Sequence, residues 1–165
     1  MGAFRGLRRT HSRRKDTRLN LDDTVKLEIY GRLAQLGIAP TVPEVARSLA
    51  LPIEDVAAAF ARLHQRRLLV PEPGDPARIR MAPPFSGVVT PFEVRSDGVL
   101  YHANCIWDAL GIPAALHRDA VIDARDGHTG EPMALEVLNG APVTRPCVIH
   151  FAVPAARWWT DIVYT

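Results

Sequence analysis

From Leu21 to Met81, apolar residues recur at helical spacing and are interrupted by turn-formers. Val25, Leu27, Ile29, Tyr30, Leu33 and Leu36 supply the core face of a first predicted helix. Asp22 or Asp23 is placed to cap it, and Gly37 to stop it. Thr41-Val-Pro-Glu44 has the capping-box arrangement, a cap hydroxyl with a glutamate three residues on, and opens a second helix to Ala50. Pro52 falls in the first turn of a third helix to about Arg66, with Ile53, Val56, Phe60 and Leu63 at helical spacing. Leu68–Val70 and Arg78–Met81, joined through Pro71–Pro76, then form a hairpin. Three helices and a ribbon predict a winged-helix-like module over residues 20–81.

Beyond Met81 the periodicity shortens. Predicted strands, rich in β-branched and aromatic residues, cover Gly87–Thr90, Phe92–Arg95, Val99–His102, Met133–Leu138, Cys147–Val153 and Asp161–Tyr164. Ser96-Asp97-Gly98 is a hairpin turn between two of them. The one strong helix in this half lies within Asn104–Leu116. The expected fold class is therefore α+β: the winged-helix-like module followed by a small mixed α/β domain over residues 82–165.

Composition adds bounds. A chain of 165 residues, 47% hydrophobic and 23% charged, can bury one good core or two small ones. No apolar run approaches the ~18 residues of a membrane span, so no membrane partner is expected. The N-terminus lacks the apolar stretch of a secretory signal, and two distant cysteines do not make a disulfide framework. A reducing cytoplasm is the expected location. The net charge of +2 is unevenly spread: seven Arg and Lys against Asp16 give the first 18 residues +6, and 13 bases against 17 acids give the remainder −4. Residues 1–19 are expected to be a disordered, solubilising leader. The third helix opens with Ile53-Glu-Asp-Val-Ala-Ala-Ala59, and carboxylates there would repel phosphates, which argues against nucleic acid as a partner.

The chemistry concentrates in Leu100–Leu116. Asn104 is a good N-cap, which would make Cys105 the first helical residue, facing free N–H groups that favour a thiolate. Asp108, three residues on, would share its face. A lone cysteine in an apolar helix is more often a small buried hydrophobe, and an Asp near a helix start more often offsets the dipole. Trp107, Trp158 and Trp159 are candidates to line an apolar pocket, although buried tryptophans are more often core. His102, His128 and His150 show no metal-ligand spacing, and no Cys-x-x-Cys, His-Glu-x-x-His or P-loop pattern occurs, so no zinc or nucleotide cofactor is expected.

Tyr101, Cys105, Asp108, Leu110, Pro113 and Leu116 resemble the active-site segment of the organomercurial (alkylmercury) lyases: an aromatic residue, then Cys-x-x-Asp, then an apolar run with a proline. Pro84–Phe92 and the tail from His150 to Thr165 also resemble that family, and the likeness runs from about Leu21 to the end. It implies a small organomercurial substrate, Hg(II) as bound product and small cellular thiols as co-reactants. Cys105 would capture mercury and Asp108 would carry the proton. The family's second cysteine follows a run like Trp159–Thr165, where this chain ends. The resemblance thus leaves two explanations: a C-terminally truncated member, or one in which Cys147 supplies the second thiol. Pro146–Phe151 reads as a buried strand, which favours core over ligand for Cys147. Besides the lyase, two alternatives stand: a non-catalytic thiol-based metal binder and a metal-sensing winged-helix regulator.

Overall fold

A computed structural model describes residues 19–163. The expected leader, apart from Leu19, and the end of the last predicted strand lie outside the described residues. Helices α1 (Leu21–Leu36), α2 (Val42–Leu49) and α3 (Ile53–Gln65) are followed by the antiparallel ribbon β1 (Val70–Glu72) and β2 (Asp75–Ala82). A short strand, β3 (Phe85–Ser86), adds to β2 and completes a three-stranded sheet. The second sheet is antiparallel throughout, in the order β5 (Val99–His102), β4 (Glu93–Ser96), β6 (Ala120–Arg125), β7 (Pro132–Leu138), β8 (Ala141–Pro142). Helix α4 (Ile106–Leu116) crosses between β5 and β6 and packs on β3, β4 and β6. The architecture is α+β.

Several expectations are corrected. The cap of α1 is Asn20, whose Oδ1 accepts the Asp23 N–H at 2.9 Å, not Asp22 or Asp23. Asp22 instead pairs with Arg62 of α3. Only Val25, Ile29 and Leu33 of the proposed apolar face are fully buried; Leu27 and Leu36 face solvent, because α2 and α3 cover a stripe narrower than the apolar set. Ile53 is likewise exposed at the start of α3, for which Pro52 is the cap. The capping box of α2 is present: Glu44 accepts the Thr41 N–H at 2.7 Å and its hydroxyl at 2.8 Å.

In the second half, β4, β5 and β7 occupy the expected places and Asp97-Gly98 turns between β4 and β5 with positive φ at both residues. Gly87–Thr90 is not a strand; pairing falls on Phe85–Ser86 just before it. The strand β6 was not anticipated, although Ala120, Ile122 and Ala124 alternate buried against exposed Val121 and Arg125. Cys147–Val153 and the described part of Asp161–Tyr164 are not strands, and a 3₁₀ segment occupies Ala155–Thr160. The reason lies at the sheet edge. Pro142 and Pro146 have no N–H to donate, and the Cys147 N–H turns back onto the Arg145 carbonyl at 2.9 Å.

One apolar cluster runs from Val25, Ile29 and Leu33 through Leu63, Ile79 and Phe85 to Tyr101, Ile112 and Ile122. The helical unit and the second sheet meet in it, and Gly37 governs their closest approach. Gly37 ends α1 at φ 69°, donating to the Leu33 carbonyl, and a Cβ there would lie 2.1 Å from the Leu100 carbonyl oxygen of β5. Gly31, inside α1, has open space where a Cβ would go. Gly37→Ala should therefore destabilise by well over about 1 kcal/mol, and Gly31→Ala should stabilise by about 0.5–1 kcal/mol, as read by urea denaturation.

Candidate functional site

The site is assembled where β5 gives way to α4. Tyr101 is fully buried, its hydroxyl donating to the Ala34 carbonyl of α1 at 2.8 Å. Ala103 pairs with Phe85, linking the two sheets. Cys105 then caps α4 in extended conformation, and its carbonyl accepts the Ala109 N–H at 2.9 Å. This corrects the expectation that Asn104 caps and Cys105 is helical. The shift of one residue puts Cys105 at the cap and Asp108 at the third helical position, and it frees the Asn104 side chain.

Asn104 uses that freedom on Asp108. Its Nδ2 donates to Asp108 Oδ2 at 2.9 Å and reaches the Phe85 carbonyl at 3.4 Å. Phe85 lies between two tyrosines, with ring centroids 6.3 Å from Tyr30 and 5.7 Å from Tyr101. The Tyr30 hydroxyl, facing the carbonyls of Pro83 at 3.1 Å and Leu68 at 3.3 Å, ties α1 to the loops on either side of the ribbon. Gly111 lets α4 approach Pro84, where a Cβ would meet the Pro84 side chain at 3.1 Å. The floor of the site is thus built largely from α1 and the β2–β3 turn.

Burial dominates the electrostatics. The Asp108 carboxyl is pushed above the ordinary 3.8, because desolvation outweighs the Asn104 hydrogen bond that favours the carboxylate. The Cys105 thiol is also raised, first by burial. The N–H groups of Asp108 and Trp107 favour the thiolate, while the charge of Asp108 opposes it. The sequence-based expectation of a lowered thiol pKa is therefore reversed: two helix-start N–H groups do not offset loss of water plus a neighbouring carboxylate. Tyr30 is raised to about 12, by burial and then by the Asp108 charge. Thiol and carboxyl are both biased toward their protonated forms.

Cys147 is placed elsewhere. It is an exposed free thiol on irregular chain, not the buried strand residue expected, and it lines an open groove of about 920 Å³. Ile106, His128, Met133 and His150 line the same groove; Cys105 and Asp108 do not. Among the described residues no three His, Cys, Asp or Glu side chains come together as a metal site. His102 is held structurally, its Nδ1 against the backbone of Thr90.

The tryptophans divide. Trp107 is 57% exposed and meets Phe151 edge-on at 6.2 Å, and Phe151 meets Trp158 at 5.3 Å. Trp159 lies under the Arg67 guanidinium, 5.3 Å from its ring centre. The tail thus folds back onto the first turn of α4 through Phe151, which the sequence pattern did not single out. Asn104, Tyr30 and Phe85 also escaped it as site residues. The first carried a readable signal, since Asn104 and Asp108 stand four apart at a helix start.

Asp108→Asn provides a test of the burial. A carboxyl whose folded pKa is raised takes up its proton more readily folded than unfolded, so it costs stability increasingly as pH climbs above 3.8. The variant's melting temperature relative to wild type should therefore rise as pH climbs above about 4 and level off once the folded carboxyl has ionised. A constant difference would mean that the carboxyl is not desolvated.

Residues 85–165 match the family described as MerB, alkylmercury lyase. Among solved structures, the mercury-bound form of MerB2 superposes with a TM-score of 0.58 at 25% identity, over 73% of this chain and 58% of that one. The chain therefore spans less than two thirds of that protein's length. No curated protein gives a significant match.

Proposed function

We propose, for a chain that belongs to the alkylmercury lyase family through residues 85–165, that it cleaves carbon–mercury bonds by protonolysis. The observation that carries this is the half-buried pair at the start of α4, Cys105 at the cap and Asp108 at the third position, both held toward their protonated forms.

Hg(II) is soft, and a thiolate is its natural ligand. Cys105 attacks the mercury of an organomercurial cation: a sulfur–mercury bond forms, the previous ligand leaves, and the thiol proton passes to the Asp108 carboxylate. Sulfur donates electron density to mercury, which makes the attached carbon easier to protonate. Asp108 then returns its proton to that carbon. The carbon–mercury bond breaks, its electron pair forms the new carbon–hydrogen bond, and Hg(II) remains on Cys105 with the Asp108 carboxylate beside it. Two small thiols remove it as the bis-thiolate; one of their protons restores the Cys105 thiol and the other is released. Oxidation states do not change. No resident cofactor enters this scheme.

The aromatic face of Trp107, Phe151 and Trp158 flanks the first turn of α4 and is the surface we assign to the organic group. Two free cysteines and the need for external thiol fit a reducing cytoplasm. No helix is long and apolar enough to cross a membrane among the described residues. The acidic first turn of α3, with Glu54 and Asp55, argues against nucleic acid as partner.

A second reading, capture of mercury without turnover, is favoured by one observation: the groove that Cys147 lines includes neither Cys105 nor Asp108. Cys147 as a mercury ligand would then act on metal that has already left Cys105.

Phenylmercury with excess small thiol, with benzene detected, separates the two. The wild type should release many equivalents of benzene, and Cys105→Ser essentially none. Asp108→Ala should still capture one mercury while benzene release falls about 10²–10⁴-fold. Stoichiometric mercury binding by the wild type with no benzene would favour the trap. Benzene release by Cys105→Ser at the wild-type rate would overturn both readings.

A further inference from the structure

A carboxyl group that hands over a proton must keep it on the oxygen that faces the acceptor. The two oxygens of Asp108 are not equivalent. Oδ2 accepts the Asn104 amide at 2.9 Å. Oδ1 has no hydrogen-bond partner among the described residues. It is not sealed either, since Arg80 Nε is the one fully buried, unpartnered side-chain polar atom there. An N–H donor aimed at Oδ2 favours the form in which Oδ2 is the carbonyl oxygen, because a carbonyl accepts better than an acid hydroxyl and the O–H then points elsewhere. The amide is itself steadied by the Phe85 carbonyl at 3.4 Å, on a strand wedged between Tyr30 and Tyr101.

We propose that Asn104 is a positioning residue: by engaging Oδ2 and the Phe85 carbonyl together, it fixes the Asp108 carboxyl so that the transferable proton resides on Oδ1. This rests on the reading of Cys105 and Asp108 as the reacting pair. Asn104 touches neither mercury nor carbon. Its effect falls on the protonation step and leaves capture at Cys105 alone. A merely structural residue would affect both through loss of folded protein.

The test compares wild type with Asn104→Leu, which keeps size and loses the donor, and Asn104→Gln, which retains an amide one methylene further out. One-to-one phenylmercury capture, read by mass, should be unchanged in all three. Single-turnover benzene release should fall about tenfold to a hundredfold in Asn104→Leu and recover in part in Asn104→Gln. In an Asp108→Ala background, Asn104→Leu should cause no further loss, because the two residues act as one unit. Equal release by Asn104→Leu and wild type, or additive losses in the double variant, would overturn the proposal.

A readout without turnover separates failure of this proposal from failure of the reaction itself. In amide NMR spectra of the resting protein, a side-chain N–H of Asn104 should move when Asp108 becomes Ala. An unmoved resonance overturns the positioning role. A moved resonance in a wild type that releases no benzene supports the positioning and fails the reaction.

Discussion

The Asp108 carboxyl is withdrawn from water, and among the described residues the Asn104 amide is the favourable polar contact that opposes this. Desolvation disfavours the charged form, so this carboxylate takes up a proton more readily than an ordinary surface aspartate does. The same burial, together with the Asp108 charge, holds the Cys105 thiol in its protonated form until a stronger electrophile than a proton arrives. A soft metal cation is such an electrophile. Under the proposed function, the two groups side by side, both raised in pKa, would exchange a thiol proton for mercury rather than serve as a general nucleophile. The helix start contributes N–H groups, but in the balance of these effects it is secondary.

The burial around the pair lies where α4 packs on β3, β4 and β6, and α1 is tied into the same junction. Phe85 is wedged between Tyr30 of α1 and Tyr101 of β5, and both hydroxyls are spent on backbone carbonyls: Tyr101 on Ala34, Tyr30 on Pro83 and Leu68. Gly37 allows α1 to end against β5 closely enough for this contact. Tyr30 of α1 stands close enough for the Asp108 charge to act on it across the junction.

Much of this was legible in the sequence, for identifiable reasons. Helices with strong local signals, such as Thr41 with Glu44 and Gly37 as a stop, fall where the pattern put them. The Cys105–Asp108 spacing placed both residues at one helix start, and both lie there, although the cap shifted by one residue. What failed depended on tertiary context. The sign of the Cys105 shift needed the extent of its burial, a tertiary property that no local pattern encodes. The segment Cys147–Val153 is as β-branched and aromatic as β5, yet it forms no strand, because a strand exists only with a partner and the neighbouring edge carries prolines. Asn104 was read as a cap because that is its commonest duty at a helix start; its contact with Asp108 became available only when Cys105 took the cap.

The ionisation of one carboxyl is decisive for the proposed chemistry. A carbon-13 NMR titration of the Asp108 carboxyl in the intact protein measures it directly. A midpoint clearly above the ordinary 3.8 is the predicted result and would show that burial outweighs the Asn104 hydrogen bond. A midpoint at or below that value would contradict this, leaving Asp108 a stabilised carboxylate poorly disposed to take the Cys105 proton and pass it to carbon.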